Sequence, residues 1–557
     1  MSPIRDPIAA AVTGGTPQTR PLPGRAADMV ANPAGGYVFS KNHRENLADF
    51  IITGTAGGTY YVNEREHTLG NLARVNDAVA ADPLGAAVLA HECLTGFPQR
   101  APRPHGGLYV LAYAHAKGGH EARLWIEDHA WEAIRTSFHR SMFWGYYRQV
   151  AGKPRAGDNE PTMPSGRAAR RLFSSLLLRP DVDDLAFSIA KGNSRKTSAG
   201  EDVSAHDILR KFHPFTADPR RNTLFAWIGG KVPDVVAAEV IPVIGQFTAA
   251  QGLVTSKEAV AFIAANPRTP WEFIPSELRD AAAWRELAGT TGMTALVRNL
   301  ALMTRNGAIT PMAPTTAKVV DRLSDGEAVR RSRLHPADLW LAQQAYAAGV
   351  SQPHPGKPPV TWQPVNTVLG ALDRAWEAAF GSVTPTGKRL LVAVDCSGSM
   401  GSAMHLASGA PIGNVYQVAL VMAMMLARAE PNVHVIEVDT SVHPSLVNAR
   451  TSIAEIGSHR NPHGGGTDMA LPFLWATREK VCADGIVVFT DNETWAGGWH
   501  ASEALEAYRR AVNPACKVVV VSMTANGRSI GDPRDEGVLN VAGLDATIPA
   551  LVAGFIR

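Results

Sequence analysis

Residues Arg389 to Met400 read RLLVAVDCSGSM. The apolar run from Leu390 to Val394 ends in an acid, and Asp395, Ser397 and Ser399 follow at alternate positions. In extended chain alternate side chains share a face, so the carboxylate and both hydroxyls converge where a strand gives way to a loop. A pocket of hard oxygens suits Mg²⁺, which keeps waters and accepts a ligand from a partner. Zinc prefers Cys and His. Taken alone, the stretch also describes a Ser-rich turn after a strand, and two later segments bear on the choice. In His463 to Pro472, HGGGTDMALP, three glycines free the backbone to approach a ligand and present Thr467, with Asp468 beside it. Gly485 to Thr494, GIVVFTDNET, is an apolar strand ending at Asp491.

Asp395, Thr467 and Asp491, in that order and each on a loop beside a strand, resemble the metal-ion-dependent adhesion site (MIDAS) of von Willebrand factor A (vWA) domains. The resemblance implies that Ser397, Ser399 and Thr467 bind a divalent cation directly, with Asp395 and Asp491 attached partly through water. An open position then takes an acidic group from a partner. Asp468 and Glu493 read as supporting or surface groups.

The elements that must position these residues are strands alternating with helices. Strands are expected over Leu390–Asp395, Val433–Asp439, Gly485–Asp491 and Lys517–Met523, with helices over Val415–Arg428, Leu471–Lys480 and Ser502–Val512 between them. That order gives a doubly wound parallel sheet, whose ligands bind at the carboxyl ends of strands. The α/β domain is placed at 387–557. Upstream, helices of about a dozen residues follow one another with breaks at Pro, Gly or Asp, as in 71–81, 83–94, 107–116, 121–134 and 364–380. Such spacing argues stacked, HEAT-like helix pairs over 35–386. Residues 1–34, rich in Pro, Gly, Ala and Thr, read as a flexible tail without the apolar core of a secretory signal.

The 557-residue chain exceeds what one core organises. No run approaches the roughly 20 apolar residues that span a bilayer, so no membrane association is expected. Cys93, Cys396, Cys482 and Cys516 show neither close pairing nor metal spacing, which suits a reducing cytoplasm. The net charge of +3 conceals an asymmetry: residues 135–231 carry 17 Lys and Arg against 9 Asp and Glu, whereas 387–557 carry 13 against 16. The basic middle favours a polyanionic partner such as nucleic acid. Within it, Lys191 and Arg195 are four apart and would share one helix face, and His206 precedes an apolar helix over Asp207–Lys211. Lys and Arg neutralise phosphates, and His stacks on or bonds an unpaired base. His213 and His335, each followed by Pro, read as turn or core groups. Trp131, Ile134 and Phe138 follow i, i+3, i+7 and are assigned to packing rather than to base stacking.

Five segments, FIITGTAGGTYY at 50–61, KFHPF at 211–215, VRNLALM at 297–303, SRLHPADLWLA at 332–342 and VTPTGKRLLVAVDCSGSM at 383–400, resemble in order the landmarks of the TROVE module and following A domain of the Ro ribonucleoprotein family. The resemblance implies a helical-repeat ring with a basic hole, closed by the A domain, and RNA contacts from Lys191, Arg195 and His206. A short insertion between Arg195 and His206 makes Lys196 the alternative to Arg195, and the segment 149–171 matches the family only loosely. The implied partners of what reads as a monomer are a noncoding Y-like RNA, the single-stranded 3′ ends of misfolded RNAs, and an exoribonuclease such as polynucleotide phosphorylase. Two further classes compete with that reading. One is an adhesion or scaffold protein whose A domain binds an acidic protein ligand through Mg²⁺. The other is an enzyme, a metal-dependent nuclease or a chelatase subunit, but no GxxxxGK[ST] loop occurs and the chain is expected to do no chemistry.

Overall fold

A computed structural model describes residues 15–53, 75–96, 104–153, 161–192, 203–351, 358–383, 385–405, 411–458, 462–523, 528–542 and 548–557. The chain forms two compact units, one within 73–324 and 362–371, the other within 1–72, 325–361 and 372–557.

The first unit is helical. Its helices include Pro83–Thr95, His105–Lys117, Gly119–Ala133, Ser137–Ala151, Arg167–Leu178, Val182–Lys191, Ala205–Phe212 and Pro219–Ile228, and continue to Pro314–Ser324. Local chemistry sets their ends. Asp82, Thr136 and Asp181 each accept a hydrogen bond from a backbone N–H of the first turn, and Ser204 forms a reciprocal capping box with Asp207. Glycine follows the helices ending at Thr95, Lys117, Ala151 and Lys191. Helices this short are marginal alone, so tertiary packing holds them. Phe173 stacks on Phe212 at 5.0 Å and meets Phe143 at 5.7 Å, joining three successive parts of the array, and all three rings are fully buried. Burying each such ring is worth about 1.5–3 kcal/mol.

The expected stripe of Trp131, Ile134 and Phe138 does not exist as one face. The helix stops at Ala133, Ile134 caps it, and Phe138 belongs to the next helix, where it is 60% exposed and edge-on to His105. Counting a helical period through the break at 134–136 produced the error.

The second unit contains a six-stranded sheet. Its strands are β5 (Arg389–Asp395), β8 (Asn432–Val438), β9 (Val442–Pro444), β10 (Gly485–Thr490), β11 (Lys517–Ser522) and β13 (Val538–Ala542), in the order β13-β11-β10-β5-β8-β9. The unit's other strands are β1 (Met29–Ala31), β2 (Tyr37–Ser40), β3 (Val350–Ser351), β4 (Val360–Thr361), β6 (Ala403–His405), β7 (Pro411–Asn414) and β12 (Arg528–Ser529). In the main sheet all neighbours are parallel except β8 and β9. The near-continuous apolar runs of β5, β10 and β11 follow from burial on both faces. The crossover helix Val415–Ala429 is buried along almost its whole length. The four strands and three helices expected from sequence are present, to within two residues at each end.

The reading of 1–34 as a flexible tail fails for the described part. Residues from Thr16 onward pack in the sheet-bearing unit: Thr16 bonds Glu503, Gln18 donates to Asp468 at 2.6 Å, and Arg25 grips Asp532 with two bonds of 2.7 and 2.8 Å. The β1–β2 hairpin continues through β12, and Leu22, Met29 and Phe39 form a small core. Composition misleads here because the partners lie more than 400 residues away. Residues 325–361 and 372–386 also group with this unit. Arg428 pairs with Glu377 and lies over the rings of Trp376 and Phe380 at 4.4 and 5.6 Å.

Candidate functional site

The carboxyl ends of β5 and β10 and the glycine-rich loop 462–468 supply the polar groups. Asp395, the last residue of β5, is fully buried; one carboxylate oxygen accepts the Ser397 N–H at 2.9 Å and the other the Thr490 hydroxyl at 2.7 Å. The Ser397 and Ser399 hydroxyls are 3.3 Å apart, and the Ser399 hydroxyl bonds the Asp491 carboxylate. Asp491 also accepts the Glu493 N–H at 3.1 Å. Ser399 is exposed, whereas Ser397, Thr467 and Asp491 are buried.

Backbone bonds between loops hold this arrangement. Gly464 N–H donates to Cys396 C=O at 3.1 Å, and Gly398 N–H to Gly465 C=O at 3.4 Å. The C=O of Thr467 accepts the N–H groups of Trp495 and Ala496, both at 3.0 Å. Gly464 and Gly465 adopt φ of 86° and 95°, a region glycine enters without strain. Gly466 has a different reason: a Cβ there would lie 2.6 Å from the Trp495 ring. The three loops expected to converge therefore do.

Electrostatics point the same way. Burial raises the Asp395 carboxyl above its ordinary range, and the neighbouring Asp491 carboxylate adds to the effect. Burial raises Asp491 as well. Asp395 has no Lys or Arg partner among the described residues. The two carboxylates and the Ser397 and Ser399 hydroxyls, with the Thr467 loop bonded beside them, are hard oxygen donors of the kind a divalent ion takes, and such an ion would relieve the repulsion between the acids.

Sequence reasoning missed the supports. Thr490, one residue before Asp491, orients Asp395. Asn492, in the left-handed region at φ 65°, donates to Ser522 at 2.8 Å and accepts the Ile530 N–H. Asp468, read from sequence as a supporting or surface group, is the former: it is buried, it takes Gln18 as donor, and burial pushes its carboxyl up to about 7. The N-terminal segment further braces the third loop: Asn32 donates to the C=O of Thr494 at 2.7 Å, and Gln18 bonds the Thr494 hydroxyl. Thr490, next to Asp491, and Asp468, next to Thr467, are the supports that adjoin an expected site residue in sequence.

The basic candidates fare differently. Lys191 is the last residue of its helix and is capped by Gly192. A Cβ at Gly192 would lie 2.6 Å from Ser137, which is why glycine ends the helix there. Lys191 pairs with Glu272 at 3.3 Å and remains about half exposed. Arg195 and Lys196 lie outside the described residues. His206 does not precede its helix but is the second residue of Ala205–Phe212, half-buried beside the capping box. The basic face of the preceding array is clearer: helix Arg167–Leu178 buries Leu172, Phe173, Leu176 and Leu177 and exposes Arg167, Arg170 and Arg171. His213 and His335 serve helix ends, as a left-handed C-cap and as an N-cap accepting the Ala337 N–H.

A family model described as the TROVE domain matches residues 264–388, and one described as the Ro60 vWA domain matches 389–556. A relative named RNA-binding protein RO60 from Deinococcus radiodurans is 32% identical over 548 residues, covering 97% of each chain. One of the same name from Caenorhabditis elegans is 27% identical over 595 residues, covering 95% of this chain and 90% of that one. The crystal structure of the Deinococcus radiodurans RO (RSR) protein matches with a TM-score of 0.70 at 32% identity, over 93% of this chain and 99% of the other. A helical unit that carries exposed arginines, a doubly wound sheet with an oxygen-lined site at its strand ends, and these matches together place the chain in the Ro60 family of TROVE–vWA proteins.

Proposed function

We propose that this chain binds RNA through its helical unit, taking a noncoding Y-like RNA and the single-stranded 3′ ends of misfolded RNAs, and passes the latter to an exoribonuclease such as polynucleotide phosphorylase. The observation that carries the reading is the end-to-end similarity to proteins named for RNA binding. The exposed Arg167 and Arg170, on a helix whose other face is core, supply the phosphate-neutralising charge such binding needs, while Arg171 beside them is paired with Glu127. RNA chemistry is not part of the proposal. Metal-assisted cleavage commonly holds two ions about 4 Å apart over the scissile phosphate, and here the oxygen donors are mainly neutral hydroxyls.

Asp395, Ser397, Ser399, Thr467 and Asp491 are proposed to hold one Mg²⁺. When bound, the ion supplies a hard centre with an open position for an acidic oxygen of a partner. Asp395 orients the loop through the Ser397 N–H, and Ser399 stands at the solvent side. Trp495, 42% exposed beside Gly466, offers an apolar rim and favours protein docking as a second use of this domain. That is the adhesion or scaffold reading.

A hairpin RNA with and without a 3′ single-stranded tail, measured across salt concentrations, tests the RNA reading. Tail-dependent binding that weakens steeply with salt supports it, and tail-independent, salt-insensitive binding refutes it. Titrating Mg²⁺ into wild type and Asp395→Ala tests the ion site, and equal affinity in both would remove it. Cleavage of tailed RNA that follows the protein through purification and is lost in Asp395→Ala would establish the enzyme reading instead.

A further inference from the structure

Beside the oxygen-lined site lies a second cluster of a different chemical kind. The donor atoms of Cys396, Glu437 and His463 lie within 4.8 Å of one another, and so do those of Cys396, Asp439 and His443. The fold brings them together from three places. Cys396 follows β5 and donates its N–H to Val438 C=O, Glu437 of β8 pairs in register with His443 of β9, and His463 heads the glycine-rich loop. The two imidazoles stack in parallel, 4.4 Å between centroids and 5° between planes.

The charges need an explanation. Glu437 and Asp439 are 4% and 7% exposed, and no Lys or Arg pairs with either among the described residues. Burying a carboxylate without a compensating charge is expensive. The nearest cationic capacity is the imidazole pair: His443 Nε2 lies 3.0 Å from Asp439 and His463 Nε2 lies 3.2 Å from Glu437. Two imidazolium rings stacked at this distance would repel each other. A divalent ion held by one of the groups resolves both difficulties, because it neutralises the carboxylate there while the adjoining imidazole stays neutral.

We infer that Cys396, Glu437 and His463 form a binding site for a borderline-soft divalent ion of the zinc class. Sulfur and imidazole donors select such ions over Mg²⁺, and one thiolate, one imidazole and a carboxylate leave the fourth tetrahedral position to water. Cys396 belongs to both groups of three, so its thiolate serves one of them at a time, and the group with His463 is the one that opens to solvent. Binding exchanges the thiol proton for the metal, and the proton leaves to water past His463, whose side chain is about half exposed. Glu437 is already oriented: Tyr416 donates to it at 2.6 Å and Ser445 at 2.7 Å. Asp439 is oriented by the Ser441 N–H at 2.7 Å. Such outer bonds are what hold metal ligands in place. The site is independent of the Mg²⁺ reading, although His463 and Thr467 share one loop.

The test uses the reduced full chain, stripped of metal and returned to excess Mg²⁺ so that the oxygen site is occupied, then titrated with Co²⁺. Thiolate-bound Co²⁺ gives a sulfur-to-metal charge-transfer absorption that oxygen-bound Co²⁺ lacks. The expected result is one Co²⁺ per chain with that absorption, displaced by Zn²⁺, lost in Cys396→Ser and kept in Cys482→Ser. His463→Gln, at an accessible position whose change spares the core, should weaken Co²⁺ by more than about 100-fold, beyond the cost of losing an orienting partner. It decides the matter if Cys396→Ser does not fold. Absence of the absorption in the wild type, or undiminished Co²⁺ affinity in His463→Gln, overturns the assignment.

Discussion

In the sheet-bearing unit Asp395, Thr467 and Asp491 come from three separated segments, whose loops are bonded to one another at the carboxyl ends of the parallel strands β5 and β10. In the helical unit Arg167, Arg170 and Arg171 come from one helix and face outward, with Arg171 held to Glu127 at 2.6 Å. The first arrangement buries charge and depends on every loop being in register. The second leaves charge in water and depends on little beyond the helix. Convergent sites should therefore respond sharply to single changes and distributed ones gradually.

The largest effect should come from cutting the aromatic centre of the helical unit. Phe173→Ala removes a ring that packs against Phe143, Trp144, Tyr147 and Phe212, and should cost about 3–5 kcal/mol. Denaturant unfolding followed by ring fluorescence and by Mg²⁺ affinity would show the helical transition shifted and the ion site unmoved. If both move together, the two units do not behave independently and the comparison breaks. Next is Gln18→Ala, which leaves the buried Asp468 carboxyl without its side-chain donor. It should destabilise the sheet-bearing unit by about 1–3 kcal/mol, whereas a flexible tail would give no change in the same unfolding curve.

The units should also differ in the sign of their pH response. Burial lowers His115 to about 4, against an ordinary value near 6.5. The unfolded chain binds the proton first, so this contribution is present above pH about 6.5 and lost as pH falls through 4. Asp468, pushed up to about 7, behaves oppositely: its contribution is present below pH about 4 and lost as pH rises through 7. Without divalent ions, His115→Gln and Asp468→Asn should each remove a slope of at most about 1.4 kcal/mol per pH unit, of opposite sign and over much the same window, from pH about 4 to about 7. Slopes of the same sign would contradict the assignment. The smallest effect on stability is expected for Lys191→Ala, which loses a half-exposed pair with Glu272 worth about 0–1 kcal/mol. If Lys191 touches a phosphate, the variant should instead reduce the salt slope of RNA binding by about one.

Legibility in the sequence followed the range of the interactions. The ends of β5 and β10 were readable because an apolar run stopping at an acid, with hydroxyls at alternate positions, is a local signal. The braces were not, since nothing around Gln18 or Asn32 announces Asp468 or Thr494. The edge strands β9 and β12 are too short to show a period, and their pairing is fixed by neighbours across the sheet. Phe138 was misread because a helical spacing means a common face only while the helix continues, and the helix that carries Trp131 stops at Ile134. Helix ends, more than helix identities, limited the reading.

The bond between Gln18 and Asp468 spans 450 residues. At roughly 5–20 residues per second of synthesis, the ribosome needs about 20–90 s to make the second partner after the first has emerged. Throughout that interval Arg25, Asn32 and the β1–β2 hairpin have no sheet to join, and the strand edge of β2 that later receives β12 stays open. An unpaired edge of that kind is a template for the wrong strand. A nascent chain of this protein is therefore most vulnerable to mispairing at its beginning, and slowing translation late in the message should lower its soluble yield more than slowing it early.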